Sequence, residues 1–426
     1  MAERKQNIGG KMGISIGMVG LGSFGSVFVP LFSRHPLVSR VALCDREPER
    51  IAKFANSPYL QGKFNPSDAY ESIEDICKSD IDALVIITQP WLHAPQCIMG
   101  MESGKDVYSA VPIISIPDGD ETLDWCDKLI ETSKRTGKHY MLGETTYYRP
   151  QAMFCRKKAE NNEFGHFLYA EGEYFHDRDT GALRRVANLR HNSKSGREWQ
   201  ELAKRKYTDK GIRSGPMHYP THSTCGPVCV MKAHAKKVTA YPYISSDPSL
   251  SKDSITNETA FFKMSNDAVV RICEYREVAG TIADSETFRI LGTSGSYMER
   301  QWKSVDRDLP LTEQLTRPLK TITLTDEEMR DPLPPEVVEE YKKFMNTKVV
   351  NNDGSIKEDF TPIGHGGSHP YLVNEFIYSV AENRMPAINI WEATRYMVMG
   401  IMAHKSAQRD GETLDVPDWG DAPKSL

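Results

Sequence analysis

The chain has no apolar run approaching membrane-spanning length, and its first residues, Met1-Ala2-Glu3-Arg4-Lys5-Gln6, are polar rather than the apolar core of a signal peptide. Cysteine is sparse. Eight are scattered over 426 residues in apolar or loop contexts, not the dense framework of a small secreted domain, and they fit reduced thiols in a cytoplasmic protein. Positive charge is not in excess either. A net charge of −5 argues against nucleic acid or an anionic membrane as a general partner. No internal repeat is visible.

What is present begins with Ser15-Ile16-Gly17-Met18-Val19 running into Gly20-Leu21-Gly22-Ser23-Phe24-Gly25. The next apolar run, Val41-Ala42-Leu43-Cys44, closes on Asp45. This reads as strand, G-x-G-x-x-G turn, helix and second strand ending on an acid. Gly20 allows the tight turn, Gly22 lets the backbone approach a pyrophosphate, and Gly25 lets helix and strand pack closely. Ser23 and Phe24 complete the turn, and the helix start offers unpaired N–H groups to phosphates. A carboxylate at Asp45 can accept from both ribose hydroxyls, which favours NAD over NADP. Arg46 leaves room for NADP, because its guanidinium could meet a 2′-phosphate.

A chain of this length holds two domains. From residue 14 to about 145, short apolar strands (14–19, 40–44, 83–87, 106–108 and 139–142) alternate with helical stretches near 47–56, 92–103 and 118–136. We expect an α/β fold: a Rossmann domain over 1–145 with a parallel sheet covered on both faces. Asp118 and Gly137 would cap its last helix. Beyond 146, alternating segments at 167–174 and 268–275 predict half-buried antiparallel strands. Residues 146–426 are therefore expected to form an α+β domain with a large, mainly antiparallel open sheet. Within it, the Pro- and acid-rich run 304–362 reads as an excursion or lid, and a helix follows near 370–382. The site is expected in the cleft at the C-terminal ends of the parallel strands.

Thr88-Gln89-Pro90-Trp91-Leu92-His93 ends the third clear strand, where Thr88 and Pro90 would lie beside a cofactor. His93 opens the next helix, either as a packing histidine or at the cofactor. The order GLGSFG, Asp45, TQPWLH, then Glu102-Ser103-Gly104-Lys105-Asp106-Val107-Tyr108 and a proline resembles the Gfo/Idh/MocA family of NAD(P)-dependent oxidoreductases. The likeness extends through Gly364-His365-Gly366-Gly367-Ser368-His369-Pro370-Tyr371-Leu372. It implies a carbohydrate hydroxyl as substrate and a homo-oligomer, dimer or tetramer, formed through the open sheet.

One departure matters more than the match. Dehydrogenases of this family carry Glu-Lys-Pro after the fourth strand, where the lysine helps move the hydroxyl proton. This chain reads Ser109-Ala110-Val111-Pro112, and Val111 cannot donate, accept or orient a proton. The Gly215-Pro216-Met217-His218-Tyr219-Pro220-Thr221-His222 segment is similar to that of the family's NAD-dependent glycoside hydrolases, notably α-N-acetylgalactosaminidases, which also have Val-Pro. His218 stands where most of the family's dehydrogenases have Asp. The Glu144-Thr145-Thr146-Tyr147-Tyr148 block resembles their Glu-Asn-x-x-Tyr, with Thr145 in place of Asn. The resemblance places Val111, Pro112 and Glu144 at the nicotinamide end. In such a site hydride leaves C3 of a sugar, the C2 proton is removed, the aglycone leaves C1, water adds and the hydride returns. Tyr219 or His222 could supply the base, and Tyr148 or His218 could polarise the C3 oxygen. No ordinary carboxylate pair is required.

His218, His222, Cys225 and Cys229 share a helical spacing that metal ligands use, but Pro220, Gly226 and Pro227 argue against an unbroken helix through them, so no metal is assigned. From Arg178 to Arg213, eleven Lys/Arg meet four Asp/Glu, which reads as a solvated, partly mobile surface. Folded over the cleft, it could attract an anionic sugar. Two further readings stand beside glycoside cleavage by recycled NAD: a conventional sugar dehydrogenase releasing NADH, and a non-catalytic NAD(P)-binding sensor. The Tyr219, His222 and His218 cluster argues against the sensor.

Overall fold

A computed structural model describes residues 13–180, 183–250, 252–280, 286–309, 316–344, 346–350 and 356–426. Six strands form the first sheet: β1 (Ile14–Val19), β2 (Val38–Cys44), β3 (Ala69–Tyr70), β4 (Ala83–Ile86), β5 (Asp106–Ser109) and β6 (Tyr140–Leu142). They run parallel in the order β3-β2-β1-β4-β5-β6. β1 and β4 are buried along their whole length, as strands covered on both faces must be. The crossovers carry α1 (Gly25–Arg34), α2 (Pro48–Ala55), α3 (Ile73–Cys77), α4 (His93–Glu102) and α5 (Gly119–Thr136). The Asp118 carboxylate accepts from the N–H groups of Asp120 and Glu121, and Gly137 ends α5 in the left-handed region, as the sequence leads one to expect.

After α6 (Pro150–Glu160) come β7 (Phe167–Phe175), α7 (Leu183–His191), α8 (Lys194–Lys206) and α9 (Thr221–Met231). Strands β8 (Ala235–Ile244), β9 (Ile255–Met264), β10 (Val269–Tyr275), β11 (Glu286–Gly292), β12 (Gly295–Met298), β13 (Gln301–Val305) and β14 (Leu319–Thr323) follow. Then come α10 (Asp326–Met329), α11 (Pro335–Lys342), the hairpin β15 (Asn346–Val350) and β16 (Ile356–Phe360), α12 (His369–Glu382), α13 (Ile390–Ala407) and β17 (Leu414–Asp415). The second sheet has nine strands in the order β14-β13-β12-β11-β7-β10-β9-β8-β17. Among the described residues only its β10–β7 pair is parallel. Residues 304–362 thus supply an edge strand, α10, α11 and the hairpin. Tyr341 of α11 donates its hydroxyl to Leu31 O of α1 at 3.0 Å, and residues 310–315, 345 and 351–355 lie outside the described residues.

No unbroken helix carries all four of His218, His222, Cys225 and Cys229, since His218 lies in a separate 3-10 turn before Pro220. The expected break at Gly226 and Pro227 is corrected: α9 runs through both, with every residue from Thr221 to Met231 buried. Pro227 has no N–H for the Ser223 carbonyl, which turns instead toward β7: a Cβ on Gly172 would sit 1.8 Å from Ser223 O. A helix buried on all sides has no polar stripe to announce it. The basic stretch is solvated, as expected: α7 has no buried residue and α8 buries only Gly196. It folds into α7 and α8, whose Trp199 stacks on Trp91 with centroids 5.1 Å apart and rings 7° from parallel. Several of its cations are paired, among them Lys194 with Glu47, Lys204 with Asp209 and Lys206 with Glu121.

Candidate functional site

Every strand of the first sheet that carries a motif delivers it at its C-terminal end. Gly20 follows β1 with φ +92°, and a side chain there would meet Ile87 O at 2.4 Å. A Cβ on Gly25 would lie 2.0 Å from Gly20 O, whereas nothing lies within 4 Å of one on Gly22. The first and third glycines close the turn, and the second faces open space where a pyrophosphate can approach. No side chain caps α1 at Phe24 and its first turn has no acid, so the positive end of its dipole is uncompensated. Ser23 and Phe24 are exposed beside it. The Asp45 carboxylate accepts from Leu21 N at 2.7 Å and Glu47 N at 2.9 Å, which fixes it at the rim with lone pairs left for ribose hydroxyls. These residues fit a dinucleotide. Arg46 is turned to Glu198 of α8.

The loops after β4 and β5 are tied together. His93 is buried, its Nδ1 2.8 Å from Pro112 O and its Nε2 3.4 Å from Thr88 O. Burial pushes its pKa down to about 4, so it is a neutral bracket between the two loops. Thr88 donates its hydroxyl to Gln96, and Pro90 O accepts from Ser115 N. Val111 packs its side chain into the core, while its carbonyl accepts from Tyr219 Oη at 3.1 Å.

Past β6 the chain builds a buried charge cluster. Glu144 Oε1 is 2.8 Å from His222 Nδ1, and Glu286 Oε2 is 3.9 Å from the same nitrogen and 2.7 Å from Arg149 Nη2. Thr146 donates its hydroxyl to His222 O at 3.0 Å and lies 3.2 Å from Glu286 Oε2, and Thr145 Oγ1 is 3.5 Å from His222 Nδ1. Burial alone would push the His222 imidazole down, but Glu144 and Glu286 outweigh it and hold the pKa at about 9. Burial likewise works to raise Glu144, yet the imidazolium and accepted hydrogen bonds keep it below the usual carboxylate range. His222 is therefore a cation at neutral pH. It can donate a proton or stabilise an oxyanion and is not a free base. Burial also pushes the Tyr219 phenol up to about 12.

Of the four residues expected to handle protons, Tyr219 and His222 meet, with ring centroids 5.7 Å apart. His218 turns the other way, its ring 4.6 Å from His404, whose Nδ1 is 2.6 Å from Glu258. Burial, with His404 and Lys405 adding to it, holds His218 down at about 3. Tyr148 lies on Tyr147 and Tyr371, in a small apolar cluster with Met153 and Leu333, apart from Tyr219 and His222. Among the described residues no group of three His, Cys, Asp or Glu side chains is placed to hold a metal.

Sequence reasoning missed several neighbours. Tyr174 lies edge-on to His222 at 4.9 Å, and its hydroxyl is 2.5 Å from His176 Nδ1. His365 stacks near His222 at 6.0 Å and meets His369 through a 3.1 Å Nδ1–Nε2 contact. Both of these imidazoles sit against Phe24 of the glycine turn, at 6.1 and 5.8 Å. The i, i+4 histidine spacing and the Tyr-x-His pattern were signals that could have found them. Glu286 and Arg149 gave none, since an acid opening a strand and an arginine opening a helix are common.

Residues 14–144 match the model of the oxidoreductase family with an NAD-binding Rossmann fold, Gfo/Idh/MocA. A glycosyl hydrolase family 109 protein of Porphyromonas gingivalis is 35% identical over 169 residues, covering 38% of this chain and 35% of the relative. An alpha-N-acetylgalactosaminidase of Bacteroides fragilis is 30% identical over 225 residues, or 51% of this chain and 47% of that protein. The chain thus spans between about a third and about half the length of these curated relatives. Among solved structures, levoglucosan dehydrogenase in complex with NADH and L-sorbose superposes with a TM-score of 0.67 at 17% identity, over 95% of this chain and 99% of that one. The fold is shared over 95% of the chain, and residues 14–144 match the NAD-binding Rossmann domain of the Gfo/Idh/MocA oxidoreductase family.

Proposed function

We propose that the protein oxidises a carbohydrate hydroxyl with NAD and returns the hydride in place, so that the net outcome is cleavage of a glycoside. The observation that carries this reading is the buried His222–Glu144 pair at 2.8 Å, flanked by the phenols of Tyr174 and Tyr219, with Val111 where a proton-moving lysine would stand. Bound NAD supplies a reversible hydride acceptor. The hydroxyl being oxidised gives its proton to solvent water, and His222, pinned through Nδ1 by Glu144, offers Nε2–H to the resulting alkoxide oxygen and stabilises its negative charge until the hydride leaves. Once that carbon is a ketone, the neighbouring C2 proton is acidic. Tyr174 can take it with His176 as the onward acceptor, and Tyr219 can give its phenolic proton to the leaving oxygen at C1. Water then adds and the steps reverse, leaving cofactor and side chains as they began. Both relatives quoted bear glycosidase names, which supports the same reading.

The test is incubation of the purified protein with nitrophenyl glycosides in deuterated water. Deuterium at C2 with no net NADH is expected. Accumulating NADH would point to a conventional dehydrogenase, and bound NAD with neither outcome to a sensor.

An anionic sugar is the finer reading, because the positive charge of Arg190 in α7 works to lower the pKa of both Tyr219, against the larger effect of burial, and His93, where burial acts in the same direction. Arg190→Ala should raise KM for a uronide more than for the neutral glycoside. The outer face of the second sheet exposes Tyr241, Phe261 and Val269, and we infer that a second copy covers it, which light scattering would register as a dimer or tetramer. All eight cysteines are free and buried, in keeping with a reducing, cytoplasmic setting, and no helix among the described residues is long and apolar enough to cross a membrane.

A further inference from the structure

The residue after a ribose-binding acid is a natural place for a guanidinium that meets the 2′-phosphate of NADP. Arg46 occupies that position, yet it is engaged elsewhere. Its Nη1 and Nη2 donate to Glu198 Oε2 and Oε1 at 2.8 and 2.7 Å, a bidentate pair that uses the face a phosphate would need. Glu198 is carried in from α8, far away in sequence, and contacts it does not itself make hold that helix in place. Trp199 stacks on Trp91, Gln89 Nε2 donates to Ser193 Oγ at 3.3 Å, and Lys194 Nζ donates to Arg46 O at 3.0 Å. Tyr207, just past the helix, donates to Glu121 at 2.9 Å.

We propose that Glu198 is a specificity residue that excludes NADP from the nucleotide cleft described above. It acts in two ways. It occupies the guanidinium that would greet a 2′-phosphate, and it brings a further carboxylate to a rim that already holds Asp45 and Glu47. Around that rim the charges balance: Asp45, Glu47 and Glu198 face Arg46, Arg50 and Lys194. A 2′-phosphate arriving there meets no surplus of cation. NAD, with a neutral 2′-hydroxyl, loses nothing by the arrangement. Because Arg46 and Glu198 are half or more exposed (51% and 61% of their side chains), salt screens the pair, and discrimination should weaken as ionic strength rises.

Binding of NAD and of NADP to the protein freed of nucleotide, followed by calorimetry, tests this without any turnover. Glu198→Gln should tighten NADP by about fivefold and leave NAD within about twofold, and Glu198→Lys should tighten NADP further. The double variant R46Q/E198Q should lose the gain. Near-ultraviolet circular dichroism of the Trp91–Trp199 stack reports whether α8 stays docked in each variant. An NADP-to-NAD ratio unmoved in both single variants overturns the proposal, and so does a gain that persists once Arg46 is gone.

Discussion

His218 and His222 sit four residues apart on one segment, both nearly inaccessible to water, and their imidazoles are driven in opposite directions. Burial works to lower both, but Glu144 and Glu286 hold His222 near 9, while His218 has no such carboxylates and burial, with His404 and Lys405 adding to it, holds it near 3. The nearest carboxylate on the His218 side, Glu258, is already taken by His404 and by the Met217 N–H. The difference teaches that the protonation state belongs to the walls and not to the motif. One wall is built from the loop after β6 and the start of β11. The other is built from α13 and β9.

That contrast can be broken from either side. The largest effect should come from Glu144→Gln, which strips the buried imidazolium of its nearest counter-charge. We expect a loss of about 3–5 kcal/mol in urea unfolding at neutral pH, with activity falling alongside. Tyr219→Phe should separate chemistry from packing: glycoside turnover falls by about a hundredfold or more, while stability changes by less than ~1.5 kcal/mol. A neutral-pH turnover unaffected by this change would remove Tyr219 from the proposed proton path.

The pH dependence sharpens the comparison further. His222 has a folded pKa raised above its unfolded value of about 6.5, so its stabilisation is complete below that pH and is lost as pH rises through about 9. His218 has a depressed folded pKa, so it penalises the fold as pH drops from about 6.5 toward about 3. The gap in unfolding free energy between wild type and H222N should therefore be full below about pH 6.5 and close as pH rises toward about 9. For H218N the difference should fall on the acid limb. The smallest effect is expected at the far rim, where Trp199→Ala removes the stack on Trp91 and should cost about 1 kcal/mol.

How much of this was legible beforehand follows from the range of the interactions. The glycine turn, Asp45 and the capped helix α5 are local: each is specified by residues within a few positions, and each stands where the sequence put it. The two-residue strand β3 was invisible because so short a run has no period. α9 and α13 escaped notice for the opposite reason, since burial on nearly all sides leaves no polar face. Composition showed the basic stretch as solvated charge but not its partners, because Glu47 and Glu121 lie over seventy residues away. At the site, His222 and Tyr219 were found through their wording, but Glu286, Tyr174 and the His365–His369 pair come from three other parts of the chain. Only the fold brings them together. His218 shares the motif of Tyr219 and His222 but faces His404, while Tyr148, from the Glu144 block, packs on Tyr147 and Tyr371.

The central claim is that His222 is a permanent cation at neutral pH and His218 a permanent neutral. Nitrogen-15 titration of the imidazoles, with H222N and H218N used to assign two of the twelve histidines, measures it directly. The account predicts a His222 signal that stays protonated until the pH nears 9 and a His218 signal that stays neutral down to pH 5. Both rings titrating together near their common free value of about 6.5 would contradict it.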